Sequence, residues 1–351
     1  MSLGKRLMTP TSAGGGDTFV VAQTTKGPIW SDDSGGTWTR GTGTAYSSLS
    51  LAGGGVAYNG SLWVCVALNS SAGSSTSMLH YSTDGKAWTA SSVFIQEQMY
   101  AVAWNGSYWL ATGNNDVQGT GNTATASILK STDGVNWLPV DQGLSNKIMA
   151  AGVKGIAWNG SQWIAVGNGS QAPQTDIAYS SNGTSWGYAT GASWNTQGYN
   201  AAWNGSVWVA SGDAGVTLCY SANGTSWTGS SNTSDYTQVE ALAWNGTVFL
   251  AAGLGYGASG NWGGTSTNGQ SWTNSPNPPL GVNYGVAWDG FQWYAGGRIG
   301  RQGSFVIYTS PDGTTWTGSL PDVPGAGSIS GVDRVFGIAT SIAPNLYPAI
   351  T

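Results

Sequence analysis

Charge is scarce in this sequence: Asp, Glu, Lys and Arg make up 8% of 351 residues, against roughly a quarter in an ordinary soluble domain. Ion-pair networks therefore cannot organise the fold. The formal net charge is −5 and no basic run occurs, so counterion release, the drive behind nucleic-acid binding, has no source. Nucleic acid is not an expected partner. Histidine occurs once, as His80, and cysteine twice, as Cys65 and Cys219. Histidine-based nucleophile systems and zinc spacings are thereby removed, and neither a cofactor nor a metal is expected. Both cysteines are expected as small buried strand residues. Long apolar runs are missing as well, so membrane insertion is not expected. The opening stretch "MSLGKRLMTPTSAGGG" has no apolar h-region, so export is expected to use a route other than a signal peptide.

What the sequence has in abundance is glycine, at 56 residues, and tryptophan, at 20. Length alone suggests about two domains, but internal repeats override that prior. One motif, A-W-N-G-x-x-W, recurs as "AYNGSLW" 57–63, "AWNGSYW" 103–109, "AWNGSQW" 157–163, "AWNGSVW" 202–208, "AWNGTVF" 243–249 and "AWDGFQW" 287–293, with a worn copy, "AGGGDTF", at 13–19. A second motif follows each copy: "SDDSGGTW" 31–38, "STDGKAW" 82–88, "STDGVNW" 131–137, "SSNGTSW" 180–186, "SANGTSW" 221–227, "STNGQSW" 266–272 and "SPDGTTW" 310–316. The closing tryptophans lie 41 to 50 residues apart. Each Asn-Gly between β-rich runs reads as a two-residue type I′ hairpin, and the second motif reads as another. Two hairpins per repeat at this period predict an all-β chain: a single seven-bladed β-propeller spanning 1–351, with four-stranded antiparallel blades. The repeats fall near 13–40, 53–90, 99–139, 153–188, 198–229, 239–274 and 283–318.

The second motif resembles the Asp-box, or bacterial neuraminidase repeat, of sialidase-like β-propellers. Ser31, Asp33, Gly35, Thr37 and Trp38 match its eight-residue form; the other six copies are one residue shorter. Asn182, Asn223 and Asn268 stand where the family has Asp. The resemblance covers nearly the whole chain and implies a structural turn between the third and fourth strands of each blade.

A ring of blades must pair its ends, because open sheet edges invite aggregation. "VFGIATS" 335–341 resembles the first-strand stretch "NYGVAWD" 283–289, whereas "LMTPTSA" 7–13 contains a proline and little alternation. The segment 332–351 is therefore expected to supply the inner strand of the first blade, beside residues 17–23.

The resemblance also implies an enzyme: sialidases use an arginine cluster, a tyrosine nucleophile activated by glutamate, and an aspartate acid/base. This sequence has only Arg6, Arg40, Arg298, Arg301 and Arg334 as arginines and Glu97 and Glu240 as glutamates, with no Arg-Ile-Pro. A glycosidase of another kind needs two carboxyl groups roughly 5–9.5 Å apart. Asp33, Asp84, Asp133, Asp289 and Asp312 belong to turns, while Asp116, Asp141, Asp176, Asp213, Asp235 and Glu240 are scattered over different segments. No catalytic residue is assigned.

Seventeen of the 20 tryptophans occupy fixed repeat positions. That regularity reads as core between blades, each ring contributing about 4–6 kcal/mol as an upper bound. Trp30 takes a strand position held elsewhere by tyrosine. Trp194 and Trp262 lie off the pattern and are ligand candidates. Counting back four residues from the aromatic before Asn-Gly gives a ring expected at the mouth of the central channel: Gly54, Tyr100, Lys154, Tyr199, Glu240 and Tyr284. Arg298 and Arg301, in "GGRIGRQG", add paired positive charge on the same face. The expected ligand-binding residues are thus Tyr100, Trp194, Tyr199, Glu240, Trp262, Tyr284, Arg298 and Arg301. The functional expectation is a non-catalytic, glycan-recognising adhesin or lectin-like module at an extracellular, virion or cell surface, with a glycan or protein surface as partner. An alternative is a self-assembling building block of a virion, fibre or cell-surface layer; a third reading is a degenerate glycoside hydrolase.

Overall fold

The computed structural model describes residues 18–24, 27–43, 51–69, 79–91, 98–118, 125–140, 149, 152–169, 176–191, 194, 197–213, 216–233, 236–255, 263–275, 282–298, 305–319 and 335–341. Blade 1 takes β1 (Val20–Thr24), β2 (Gly27–Ser31) and β3 (Thr39–Arg40). Blade 2 takes β4 (Leu51–Tyr58), β5 (Trp63–Asn69), β6 (Leu79–Ser82) and β7 (Thr89–Ala90). Blade 3 follows with β8 (Met99–Trp104), β9 (Trp109–Gln118), β10 (Thr125–Ser131) and β11 (Leu138–Pro139). Blade 4 consists of β12 (Val153–Trp158), β13 (Trp163–Gly167), β14 (Ile177–Ser180) and β15 (Gly187–Tyr188). The two-residue β16 (Thr190–Gly191) precedes blade 5, which is β17 (Gly198–Trp203), β18 (Trp208–Gly212), β19 (Leu218–Ser221) and β20 (Ser226–Gly229). Blade 6 is β21 (Tyr236–Trp244), β22 (Phe249–Gly255), β23 (Gly263–Ser266) and β24 (Thr273–Ser275). Blade 7 is β25 (Val282–Trp288), β26 (Trp293–Arg298), β27 (Phe305–Ser310) and β28 (Thr317–Ser319), and β29 (Val335–Thr340) follows.

These strands form seven sheets, and the first has the order β29-β1-β2-β3. The ring is closed as expected. Strand β29 pairs antiparallel with β1 through Val20↔Thr340, Val21↔Ala339 and Ala22↔Ile338, so both ends of the chain build one blade. The worn first repeat is shifted from its expected alignment, however. Val20, not Phe19, lies opposite Ser31, as Trp63 lies opposite Ser82.

Both recurring turns are built on a side-chain acceptor. In the first, the Asn59 N–H donates to the Leu62 carbonyl (3.1 Å), and Asn59 Oδ1 accepts from the N–H groups of Ser61 (3.0 Å) and Leu62 (2.7 Å). Gly60 has φ +98°, while Asn59 is not among the described residues with positive φ. The expected type I′ turn is therefore corrected to one with glycine alone in the left-handed region at its first central position, as in type II′. Asp289 plays the same part, accepting from Phe291 (2.8 Å) and Gln292 (2.7 Å), which explains why Asp and Asn interchange there.

In the second turn Ser82 Oγ accepts from the Gly85 N–H (2.9 Å) and donates to Asp84 Oδ1 (2.8 Å), which in turn accepts from Lys86 and Ala87 (2.8 Å each). Burial pushes the Asp84 carboxyl upward, but these donors outweigh it and hold its pKa below the usual carboxylate value. Asn223 receives the same two backbone bonds, from Thr225 (2.9 Å) and Ser226 (3.0 Å); an oxygen acceptor is enough. The longer first copy places its extra residue, Ser34, in the left-handed region at φ 57°.

The core is a set of wedges between blades. Met99 and Val102 of blade 3 pack with Val64, Val66 and Leu79 of blade 2, and Val335 and Ile338 of blade 1 with Tyr294 and Ile307 of blade 7. Second-motif indoles close their own turns, as when Trp88 Nε1 donates to the Gly85 carbonyl (3.1 Å). Blades are also joined at the rim: Thr42 donates to the Lys86 carbonyl and accepts from the Trp88 N–H, both at 2.8 Å, and β16 pairs parallel with β20 of the next blade.

Candidate functional site at the channel mouth

The inner strands approach one another most closely at small residues. A Cβ on Gly285 would stand 3.1 Å from the Gly337 Cα, and one on Gly55 would stand 3.1 Å from the Ala101 Cα. Just before this level in every blade, the inner strand breaks register with its neighbour. Met99 pairs with Gly113 and Ala101 with Thr112, so Tyr100 is skipped; Lys154, Tyr199, Glu240 and Tyr284 are skipped in the same way. Phe336 is skipped in β29, and Gly54 with Gly55 in β4. The ring expected from counting is therefore a ring of β-bulges, one in each of the seven inner strands. A bulge leaves its extra residue unpaired and re-aims its side chain.

The re-aimed side chains meet across blade boundaries. Lys154 Nζ of blade 4 lies 3.4 Å from the ring centroid of Tyr100 in blade 3. Tyr284 of blade 7 stacks on Phe336 of blade 1 with centroids 5.2 Å apart and planes 29° from parallel. Between these pairs is an amide network: Gln197 Nε2 and Gln238 Nε2 converge on Tyr199 Oη (2.6 and 2.7 Å), and Gln238 Nε2 also reaches Glu240 Oε1 (2.6 Å). Tyr100 Oη donates to Gln98 Oε1 (2.9 Å), and Asp213 Oδ1 accepts from the Gln197 backbone N–H (3.0 Å). Burial pushes the Lys154 amine down to about 8, with Glu240 acting in the opposite direction. Burial, reinforced by Glu240, pushes the Tyr199 phenol upward, so it remains a neutral O–H at physiological pH.

Gln98, Gln197 and Gln238 were not singled out from sequence, yet each stands two residues before a bulge residue in "QMYAVAW", "QGYNAAW" and "QVEALAW". That threefold recurrence was a legible signal. Phe336 was also missed, because its strand lies outside the seven motif pairs.

The expected ligand residues divide. Tyr100, Tyr199, Glu240 and Tyr284 all sit half-buried at bulges of their inner strands; Tyr199 and Glu240 share Gln238, whereas Tyr100 meets Lys154 and Tyr284 meets Phe336. Trp194 lies elsewhere: it is 6% exposed and packed in the core cluster of blades 4 and 5. Its ring fills the space over Gly198 and Gly212, where any Cβ would collide with it. Asp176 Oδ2 accepts its backbone N–H (2.9 Å), and a ring so enclosed cannot serve as a platform for a ligand. Arg298 pairs through its backbone with Phe305 and Val282; its side chain, Trp262 and Arg301 lie outside the described residues. Among the described residues, no group of three or more His, Cys, Asp or Glu is arranged to hold a metal ion.

No protein-family profile matches this chain, and no curated protein matches it either. Similar folds do occur among solved structures. A quinonprotein alcohol dehydrogenase-like protein from Bacteroides thetaiotaomicron superposes with a TM-score of 0.58 at 8% identity, over 93% of this chain and 78% of that one. A chain of the nidogen/laminin complex gives 0.49 at 10% identity, covering 93% and 99% of the two chains. The computationally designed Ika8 protein gives 0.49 at 8%, covering 86% and 83%. At such identities the first likeness concerns the propeller fold alone.

Proposed function

We propose that this propeller is a non-catalytic binding module that takes a glycan at the mouth of its central channel. The observation that carries the reading is the ring of bulges, which aims aromatic, amide, amine and carboxylate groups from different blades at one level. The Tyr284–Phe336 pair offers an apolar face of the kind that stacks on a sugar ring, and Gln238, Tyr199 and Glu240 offer hydrogen-bonding groups for hydroxyls. Glu240 is the one carboxylate at a bulge position among the described residues, and Asp213, whose charge also acts on Tyr199, gives Oδ1 to the Gln197 backbone N–H (3.0 Å). The serine-anchored second turns support kinship with Asp-box propellers as part of the same proposal.

The test is a glycan array followed by calorimetry on the hit. Tyr284→Ala and Gln238→Ala are expected to weaken binding at least tenfold with the melting temperature little changed. An array without hits, or hits indifferent to both substitutions, would overturn the reading.

A second reading, a self-assembling surface building block, is favoured by exposed apolar side chains: Leu138, 72% exposed on the outer strand of blade 3, and Phe291, 60% exposed at a blade 7 turn. Sedimentation velocity over a concentration series, with Leu138→Lys for comparison, separates the two readings.

A further inference from the structure

The face carrying the repeated turns holds a second site, seen by comparing two neighbouring blade junctions. Between blades 3 and 4 the junction is filled: the Tyr108 ring lies 6.0 Å from Trp163, and its hydroxyl accepts the Trp163 indole N–H (2.9 Å). Lys130 Nζ covers the same ring at 3.7 Å. Between blades 4 and 5 the repeat substitutes all but one of these parts. Gln162 stands at the Tyr108 position, Tyr179 at the Lys130 position, and Trp208 at the Trp163 position.

Gln162 Oε1 lies over Gly224 as the Tyr108 hydroxyl lies over Gly183, but the glutamine lacks a ring, and a solvent-open cleft of about 520 Å³ is found there, lined by Asn159, Ser161, Gln162, Tyr179, Trp208 and Asn223 among others. Its size is that of a small-ligand pocket. Trp208 is 0% exposed at the base of the cleft, and its indole N–H has no acceptor, as is also the case for Trp109 and Trp293 at the same repeat position. The oxygens of Asn159 and Asn223 are occupied by backbone donors of their own turns, so their amide N–H groups are what they offer to a ligand. No Asp, Glu, Lys or Arg lines the cavity.

We propose that this cleft binds one neutral pyranose unit of a saccharide, with the Asn159 and Asn223 amides donating to sugar oxygens above the buried Trp208 and with Tyr179 as the aromatic wall. Seated between blades on the turn face, the site is separate from the channel mouth and gives the disc two faces for multivalent attachment. It does not depend on the channel-mouth reading.

The experiment is a titration of the full chain with the methyl glycosides of glucose, galactose, mannose and N-acetylglucosamine and with 4-methylphenol. It is followed through the Trp208 indole N–H resonance, assigned with Trp208→Phe. At least one glycoside is expected to shift that resonance saturably in the millimolar range. Gln162→Tyr, which rebuilds the filled junction, is expected to abolish the shift while keeping or raising the melting temperature; Tyr179→Ala should weaken it at least fivefold if the first variant fails to fold. Tyr284→Ala at the channel mouth should leave it unchanged. A resonance unmoved by every glycoside, moved only by 4-methylphenol, or moved equally in both cleft variants overturns the proposal.

Discussion

Asn159 works through one atom: Oδ1, which accepts from Ser161 (3.0 Å) and Gln162 (2.7 Å). Asn159→Asp should therefore leave the urea midpoint nearly unchanged, whereas Asn159→Ala should cost about 1 kcal/mol. The importance of this asparagine was legible from its recurrence. Its conformation was not, because Asn-Gly is also what a type I′ turn prefers, and only the backbone φ values, positive at Gly160 and not at Asn159, distinguish the two. Trp194→Ala should empty a core site and cost about 3–5 kcal/mol in denaturant unfolding. A single sequence cannot tell a loop tryptophan that turns outward from one that covers glycines in its own blade. His80 is fully buried, and burial pushes it down from 6.5 to about 4. Between those pH values the unfolded chain binds more protons, so stability should fall as pH drops from about 6.5 toward 4 and then lose nothing more from this group. A His80→Leu protein should show a flatter urea midpoint over that window; an identical slope would reject the assignment.

At the level of strands and turns, two devices join neighbouring blades, and they were not equally visible. The rim latch depends on Gly191, at φ +103°, where a Cβ would run into the Trp227 carbonyl oxygen. Gly191→Ala should destabilise by more than about 1 kcal/mol, measured as a lower urea midpoint with m unchanged. Nothing in the sequence marked residues 190–191 as a fifth strand of blade 5, since two-residue pairing carries no periodicity. The bulges were half legible: counting back from the aromatic found their positions, because the repeat is regular, but not the reason for their inward aim. That reason is the register shift itself, a property of two strands together. The three glutamines are visible in the sequence once the bulge is known.

For the whole molecule, closure joins two sequence-distant strands, β29 and β1, in one blade. Deleting residues 332–351 removes β29, exposes the edge of β1 and uncovers Tyr294 and Ile307. The truncated chain should lose cooperative thermal unfolding or aggregate; a soluble product with the parent melting temperature would contradict the closure's energetic role. The Lys154 amine, held at about 8, adds a global pH signature of opposite reach. The unfolded chain binds the proton more tightly up to about 10.5, so stability should rise between pH 8 and 10.5, and Lys154→Met should remove that rise.

By itself the sequence determined the blade number, the four-strand plan, the turn residues and the closing strand, because each is written in a local pattern repeated at a fixed period. Only the tertiary structure decided which side chains meet. Lys154 on Tyr100, Tyr284 on Phe336 and the cleft between Gln162 and Tyr179 each arise between blades. There, what a residue does depends on the volume and hydrogen-bonding groups of a partner from the next repeat, as Gln162 and Tyr108 show at the same repeat position.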